Sequence, residues 1–131
     1  MEKQNFETCI EDLVREIINC ISEKEYDELE QIALIDAEWI EEDEEQSDGF
    51  RRFEEWIEDQ LSGWKEETGE DFVIDSFDKA YLEIEFDEEN ENCALATYTP
   101  TSDEEDIDMW FEFRCIVDND DKVTVTVNVN M

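Results

Sequence analysis

Apolar side chains in the first half of the chain recur every three or four residues, the spacing of one buried helix face. The first such stripe comprises Phe6, Ile10, Leu13, Val14, Ile17, Cys20 and Ile21. Next, "SEKE" at 22–25 fits a capping box and predicts a second helix through "YDELEQIA". A third helix, capped by Ser47 or Asp48 and ended by Gly69, is predicted from the stripe Phe50, Phe53, Ile57, Leu61 and Trp64. The stretch 34–46 fits neither period.

From Asp71 onward the apolar period changes to two, which predicts strands. The candidate strands are "DFVIDSF", "KAYLEIEF", "CALATYT", "DMWFEFRCIV" and "KVTVTVNVN". Short polar connections between them favour antiparallel hairpins. We therefore expect one α+β domain over 1–131, with a helical half at 1–69 and a sheet half at 70–131. Three N-terminal helices would pack on one face of a curved antiparallel meander of four strands, or five, and the other face would stay partly open.

The net charge of the chain indicates which class of molecule it can bind. The chain has 43 acidic and 9 basic residues and no histidine, for a formal net charge of -34. Its 40% hydrophobic content argues against disorder. The excess is shared, because residues 1–69 hold 24 acids and 6 bases and residues 70–131 hold 19 and 3. Nucleic acids and anionic membranes would be repelled, whereas a basic protein would be attracted.

Catalytic and metal-binding signals are weak. Without histidine or a glycine-rich nucleophile turn, a catalytic triad is not expected, and no phosphate loop or EF-hand pattern occurs. We therefore predict a protein that is not an enzyme and has no cofactor or metal site. Cys9, Cys20, Cys93 and Cys115 lack metal-ligand spacing and are expected as buried free thiols. With no apolar leader or membrane span in this sequence, the expected compartment is the cytoplasm.

The candidate binding residues come from the predicted sheet. On its open face, Glu83, Glu85 and Glu112 would line up on neighbouring strands, near Tyr98 and Trp110. Repulsion between like charges would disfavour this arrangement unless a cationic surface covers it. The acidic loops at 87–92 and 118–121 would share one end of the sheet and 101–108 the other. The predicted partner-binding residues are Glu83, Glu85, Tyr98, Asp103, Glu104, Glu105, Asp106, Trp110 and Glu112. The alternatives are solvated turns for the loops and a covering role for the two aromatics.

In overall plan the chain resembles small acidic bacterial immunity proteins of toxin–immunity systems. The resemblance is carried by helices such as "LVREIINCISEKEYDELEQIA" followed by the strand-rich "FVIDSFDKAYLEIEF" and "DMWFEFRC". The same order is similar to cystatin-like cone folds. The resemblance implies that the protein blocks the basic active site of a nuclease-type toxin. A phage-encoded mimic of DNA charge that inhibits a defence nuclease, or a soluble domain of another role, would share this composition.

Overall fold

The computed structural model describes residues 1–130 and has an α+β architecture. Its three helices are α1 (Lys3–Ser22), α2 (Tyr26–Ile32) and α3 (Gln46–Thr68), and two short 3-10 helices span Ala37–Trp39 and Lys79–Tyr81. The strands are β1 (Leu34–Ile35), β2 (Leu82–Phe86), β3 (Cys93–Tyr98), β4 (Thr101–Ser102), β5 (Glu105–Asp106), β6 (Trp110–Val117) and β7 (Val123–Asn130). The α+β class expected from the sequence is confirmed.

Five strands form one mixed sheet in the order β1-β7-β6-β3-β2, and β4 and β5 form a separate two-stranded hairpin. The pairs β2–β3, β3–β6 and β6–β7 are antiparallel, whereas β1 runs parallel to β7. The sheet is therefore mixed, and the expectation of a purely antiparallel sheet is wrong at this edge. As expected, the loops 87–92 and 118–121 lie at one end, since Cys93 pairs with Ile116 and Val117 with Val123.

Helix boundaries differ from the predicted caps at two places. Ser22 is the last residue of α1, and Glu25 precedes α2 without a side-chain cap, so the predicted capping box at 22–25 is wrong. At α3 the box lies two residues earlier than expected, between Glu45 and Asp48. There the carboxylates accept hydrogen bonds from two backbone N–H groups that have no partner within the helix. Gly69 ends α3 with φ 78°, as predicted.

The core lies between the helices and one face of the sheet. Both apolar helix stripes supply buried residues, among them Phe6 and Ile10 of α1 and Phe53 and Ile57 of α3. Period-two alternation places every second side chain of the central strands against them. The buried strand residues are Ala94, Ala96, Tyr98, Phe111, Phe113, Cys115, Val117, Val125, Val127 and Val129. This inner face is therefore covered by helices α1 and α3.

The edge strand β1 comes from the stretch that the sequence left unassigned. Ile35 lies opposite Val127 and is buried, and its N–H donates to the side chain of Gln46 at 2.8 Å. Helix α3 approaches this strand closely because Gly49 has no side chain: a Cβ there would lie 2.7 Å from Ile35. Contacts distant in sequence thus fix β1.

The segment 71–77 was predicted to be a strand and is not one. It is anchored by single contacts instead: Ile74 is buried, and the Phe77 N–H donates to the Asn19 side chain at 2.9 Å. Asp75 joins this segment to the β4–β5 hairpin through its N–H, which donates to the Thr101 carbonyl at 2.8 Å. The segment packs as an irregular connection between α3 and the sheet.

Candidate partner-binding face

The side of the five-stranded sheet that faces away from the helices is called the outer face below. Strand alternation and register place fourteen side chains on it, because each paired position shares a face with its partner. They are Leu34, Glu83, Glu85, Cys93, Leu95, Thr97, Trp110, Glu112, Arg114, Ile116, Thr124, Thr126, Asn128 and Asn130. All fourteen are half-buried or exposed. At the β7 edge the short helix Ala37–Trp39 contacts this face: the Asn128 side chain accepts a hydrogen bond from the Trp39 indole N–H at 2.8 Å and donates one to the Glu38 carboxylate at 3.3 Å.

The outer face is poor in charge and rich in exposed apolar groups. Of the chain's 43 acidic residues, three lie on it. Leu34, Leu95, Trp110 and Ile116 are 43%, 38%, 37% and 51% exposed, and they are four of the six large hydrophobic side chains exposed among the described residues. Low charge together with exposed apolar and aromatic side chains is typical of protein–protein interfaces. Leu95 and Ile116 adjoin diagonally on β3 and β6, whereas Trp110 lies at the other end of β6, beyond Glu112 and Arg114. Adjoining exposed apolar side chains mark a candidate interaction site.

An open groove on the outer face spans the end of β2, the start of β3 and the end of β6. Its volume is about 490 Å³, and Leu95 and Ile116 are among the residues that line it. The complete lining is Glu85, Phe86, Asp87, Glu88, Cys93, Ala94, Leu95, Arg114, Cys115 and Ile116. Carboxylates on the β2 side border an apolar floor, which suits a cationic side chain with an aliphatic stem.

The cation at the centre of this face, Arg114, is already paired. It reaches across Thr126 of β7 and forms an ion pair with Asp36, which follows β1 and is nearly buried. Asp36 also accepts a hydrogen bond from the Glu38 N–H at 3.0 Å. Arg114 therefore joins β6 to the edge of the sheet, and its charge is compensated within the protein.

One strand, β3, separates Glu83 and Glu85 on β2 from Glu112 on β6, although these carboxylates were predicted to stand side by side. Glu83 and Glu112 each lie directly opposite Thr97 on β3, and Glu85 lies opposite Leu95. The predicted contact between like charges on neighbouring strands is therefore wrong, because a neutral strand lies between them. Trp110 and Glu112 do adjoin: the indole N–H donates to the Glu112 carboxylate at 3.2 Å. Four predicted site residues, Glu83, Glu85, Trp110 and Glu112, share the outer face.

Tyr98 lies on the other side of the sheet. Its side chain is 1% exposed, stacks on Phe77 with ring centroids 5.4 Å apart, and accepts a hydrogen bond from the Asp78 N–H at 3.0 Å. Burial raises the pKa of its phenol. The prediction that Tyr98 stands on the partner-binding surface is wrong. It is a core residue whose hydroxyl holds the 77–78 turn.

The predicted acidic loop forms the β4–β5 hairpin. Its two turn residues, Asp103 and Glu104, have φ of 52° and 67°, values that favour Asn and Gly in such turns. Both backbone N–H groups donate to the carboxylate of Asp75, at 3.1 and 2.9 Å, and the Thr101 hydroxyl donates at 2.7 Å. Burial acts to raise the pKa of Asp75, but these hydrogen bonds outweigh it and the pKa is lowered.

The hairpin is set apart from the outer face. Asp103 and Glu104 line a separate open depression of about 1030 Å³ beside Arg15, Lys79 and Tyr81, to which none of the outer-face residues contributes. Glu105 and Asp106 are exposed on β5. The structure thus divides the nine predicted residues into four on the outer face, four on the hairpin, and one in the core.

The positive charges are largely neutralised within the protein. Seven of the nine basic side chains form ion pairs with carboxylates, namely Arg15, Lys24, Arg51, Arg52, Lys65, Lys79 and Arg114. Lys3 lies over the Phe86 ring at 4.7 Å. An approaching molecule therefore meets a surface of excess carboxylates, and the acidic loops 87–92 and 118–121 lie at one end of the outer face.

Sequence reasoning missed several outer-face residues. The predicted binding residues do not include Leu34, Leu95, Arg114 or Ile116, and the pairing of Arg114 with Asp36 has no local signal in the sequence. The alternation of "DMWFEFRCIV" does place Ile116 on the solvent side with Trp110, and an isoleucine at such a position was the available signal. The four cysteines are free: Cys20 and Cys115 are buried, whereas Cys9 and Cys93 are half-buried. Full burial of all four thiols is therefore not observed.

The described part of the chain has neither a metal-binding cluster nor a membrane-spanning helix. Over residues 1–130, no group of three or more acidic or cysteine side chains is placed to hold a metal ion. No helix in that range is long and apolar enough to cross a membrane. Comparisons with protein-family models, curated proteins and solved structures gave no match.

Proposed function

We propose that this protein binds and neutralises a basic protein through its outer face. The observation that carries the proposal is the contrast within one molecule: a chain of net charge -34 keeps a charge-poor apolar surface on one uncovered side of its sheet. Excess carboxylates around that surface steer a cationic partner, and Leu95, Trp110 and Ile116 supply the apolar contacts made on docking. The protein acts by occupying its partner and not by a reaction of its own.

The class of partner we favour is a nuclease-type toxin domain, with this chain as its immunity protein. A nuclease active site is basic because it binds a polyanion, so a surface rich in carboxylates competes for it. The resemblance of the helix–strand order to acidic immunity proteins supports this choice. A phage inhibitor that presents DNA-like charge to a defence nuclease uses the same electrostatics. The carboxylates would steer either partner, so the preference for the immunity function rests on the helix–strand order.

The function is tested by capture followed by inhibition. Wild-type protein and the variant Leu95→Ser/Ile116→Ser serve as paired baits in the source cell, with egg-white lysozyme added as a basic protein of no relation. We expect a nuclease retained by the wild type and lost by the variant, at a salt concentration that releases lysozyme. Addition of the wild-type protein should then abolish the nuclease's cleavage of DNA or RNA. Equal capture by both baits, or undiminished cleavage in the complex, would rule out this function.

A further inference from the structure

The two edges of the five-stranded sheet differ. At one edge β1 has two residues, and its outward N–H, that of Ile35, donates to the Gln46 side chain. At the other edge β2 has five residues, and within residues 1–130 no strand pairs with its free side. Open edge strands present unpaired N–H and C=O groups to any added strand. The β1 edge is therefore closed to a further strand, whereas the β2 edge can pair with one.

The hydrogen-bond pattern identifies which groups β2 presents. The Asp87 N–H donates to the Cys93 carbonyl and the Thr99 N–H to the Tyr81 carbonyl, so odd-numbered residues direct their backbone groups toward β3. In an antiparallel ladder the alternate residues direct theirs the opposite way. The N–H of Leu82 is taken by the Lys79 carbonyl. The N–H groups of Ile84 and Phe86 therefore point to the free edge of β2. The carbonyl groups of Leu82 and Ile84 point to the same edge.

The side chains beside this edge have a two-sided character. Glu83 and Glu85 are exposed on the outer face, whereas Leu82, Ile84 and Phe86 are half-buried and pack against the core. A strand added to β2 places its side chains alternately beside these two groups. Its outer positions would lie next to two carboxylates, and its inner positions next to apolar side chains.

We propose that the edge of β2 binds an extended segment of the basic partner in which lysine or arginine alternates with apolar residues. The proposal rests on the proposed function for the identity of the partner and adds the chemistry of the contact. Backbone hydrogen bonds give the affinity, and the pairing of cations with Glu83 and Glu85 gives the specificity. A second copy of this chain is a poor occupant, since its own Glu83 and Glu85 would face the same carboxylates.

The test uses a short acetylated peptide that alternates lysine with valine along the length of β2. A matched control has the same composition with its lysines and valines segregated. In a second pair of peptides, backbone N-methyl groups are placed either on the valines or on the lysines. When the peptide adds antiparallel to β2, the N–H groups of the valines face β2 and those of the lysines face away. Amide hydrogen exchange of the full chain, read by NMR, reports the contact at each residue.

We expect the alternating peptide to slow exchange at Ile84 and Phe86, whose amides exchange fast in the free protein, while Glu83 and Glu85 stay protected throughout. Segregation of the residues or N-methylation of the valines should weaken binding at least about tenfold, and N-methylation of the lysines should not. Charge reversal, Glu83→Lys/Glu85→Lys, should transfer preference to a peptide that alternates glutamate with valine.

Several results would overturn this proposal. They are no binding of the alternating peptide, binding without protection at Ile84 and Phe86, equal binding of both N-methylated peptides, or protection of these amides by self-association of the free chain. None of these results concerns the apolar contacts of Leu95, Trp110 and Ile116 on the outer face. Trp110 lies on β6, two strands from the β2 edge, so Trp110→Ala should leave peptide binding unchanged. Failure of the proposed function is a different result, in which outer-face variants still bind the captured partner.

Discussion

Arg114 on β6 forms an ion pair with Asp36, beyond the edge of the sheet, across the outer surface of β7. Asp36 is nearly buried, and its remaining bond is to the Glu38 N–H. Removal of the guanidinium leaves a desolvated carboxylate without its charge partner, and that cost exceeds the net strength of the pair.

We therefore expect Arg114→Ala to lower the free energy of unfolding by about 1 kcal/mol or more, measured by urea denaturation. The matched control is Lys122→Ala, because no ion pair involving Lys122 is found among residues 1–130. That variant should change stability by less than about 0.5 kcal/mol. Equal losses in the two variants would show that the Arg114–Asp36 pair does not hold the edge of the sheet.

The β4–β5 turn stores backbone strain that a single substitution should relieve. Glu104 adopts φ 67°, a conformation that costs a non-glycine residue about 1 kcal/mol. Glu104→Gly keeps the N–H that donates to Asp75 and should raise the free energy of unfolding by about 0.5–1 kcal/mol. Glu105→Gly, on the adjoining strand, has no such strain to relieve and should destabilise. Stabilisation by both substitutions would point to charge removal and not to turn geometry.

Stability should pass through a maximum as pH falls. Burial and repulsion from Glu58 raise the pKa of Glu54, and the hydrogen bond with Glu28 raises that of Glu25. With raised pKa values the folded state binds more protons, so the melting temperature should rise as pH falls from about 7 to about 5. Asp75 has the opposite sign, because its folded pKa is lowered. Its contribution is lost as pH falls below about 4, and the melting temperature should then drop.

The salt dependence of the melting temperature is the control for its expected rise between pH 7 and pH 5. If crowded carboxylates cause it, an increase in NaCl from about 20 mM to about 500 mM at pH 7 should raise the melting temperature by screening. Asp75→Asn should remove part of the acid-side drop and leave the rise between pH 7 and pH 5 in place. A melting temperature indifferent to salt would contradict the assignment to charge crowding.

Association and dissociation should respond to different residues of the outer face. Charge reversal at Glu83, Glu85 and Glu112 should slow association with the captured partner, because steering acts before contact. Trp110→Ala should mainly speed dissociation, since an apolar anchor acts after contact. Each single reversal is compared with Glu23→Lys or Glu30→Lys in the helical half, which changes the net charge by the same amount. Surface plasmon resonance at several salt concentrations separates the two rates, and equal slowing by the helical controls would indicate steering by net charge alone.

How far the sequence predicts this molecule depends on how local each signal is. The stripes through Phe6 and Phe53 and the alternation of β6 and β7 are local, and the structure has them as expected. Tyr98 was assigned to the wrong face because "CALATYT" carries apolar residues on both sides of the strand. Strand β1 has two residues and depends on Val127, Gln46 and Gly49, so no periodic signal could predict it.

The site was predictable to a similar degree. Period-two alternation correctly placed Glu83, Glu85, Trp110 and Glu112 on one side of the sheet. It could not reveal that Thr97 separates Glu83 from Glu112, since strand order and register arise from tertiary pairing. The bond between Asp75 and the 103–104 turn likewise spans 28 and 29 residues.

The thiols of the protein can show directly whether the partner covers the outer face, because a covered cysteine is protected from alkylation. Cys93 is half-buried on that face beside Leu95, and Cys9 is half-buried on α1, on the helical side of the sheet. Burial raises the pKa of Cys20 and raises that of Cys115 to about 12, so both should react slowly. The measurement is the alkylation rate at Cys93 and Cys9, by mass spectrometry, with and without the captured partner. The partner should slow alkylation at Cys93 and leave that at Cys9 unchanged. Protection of Cys9 with Cys93 still reactive would show that the partner covers the helical side of the sheet instead.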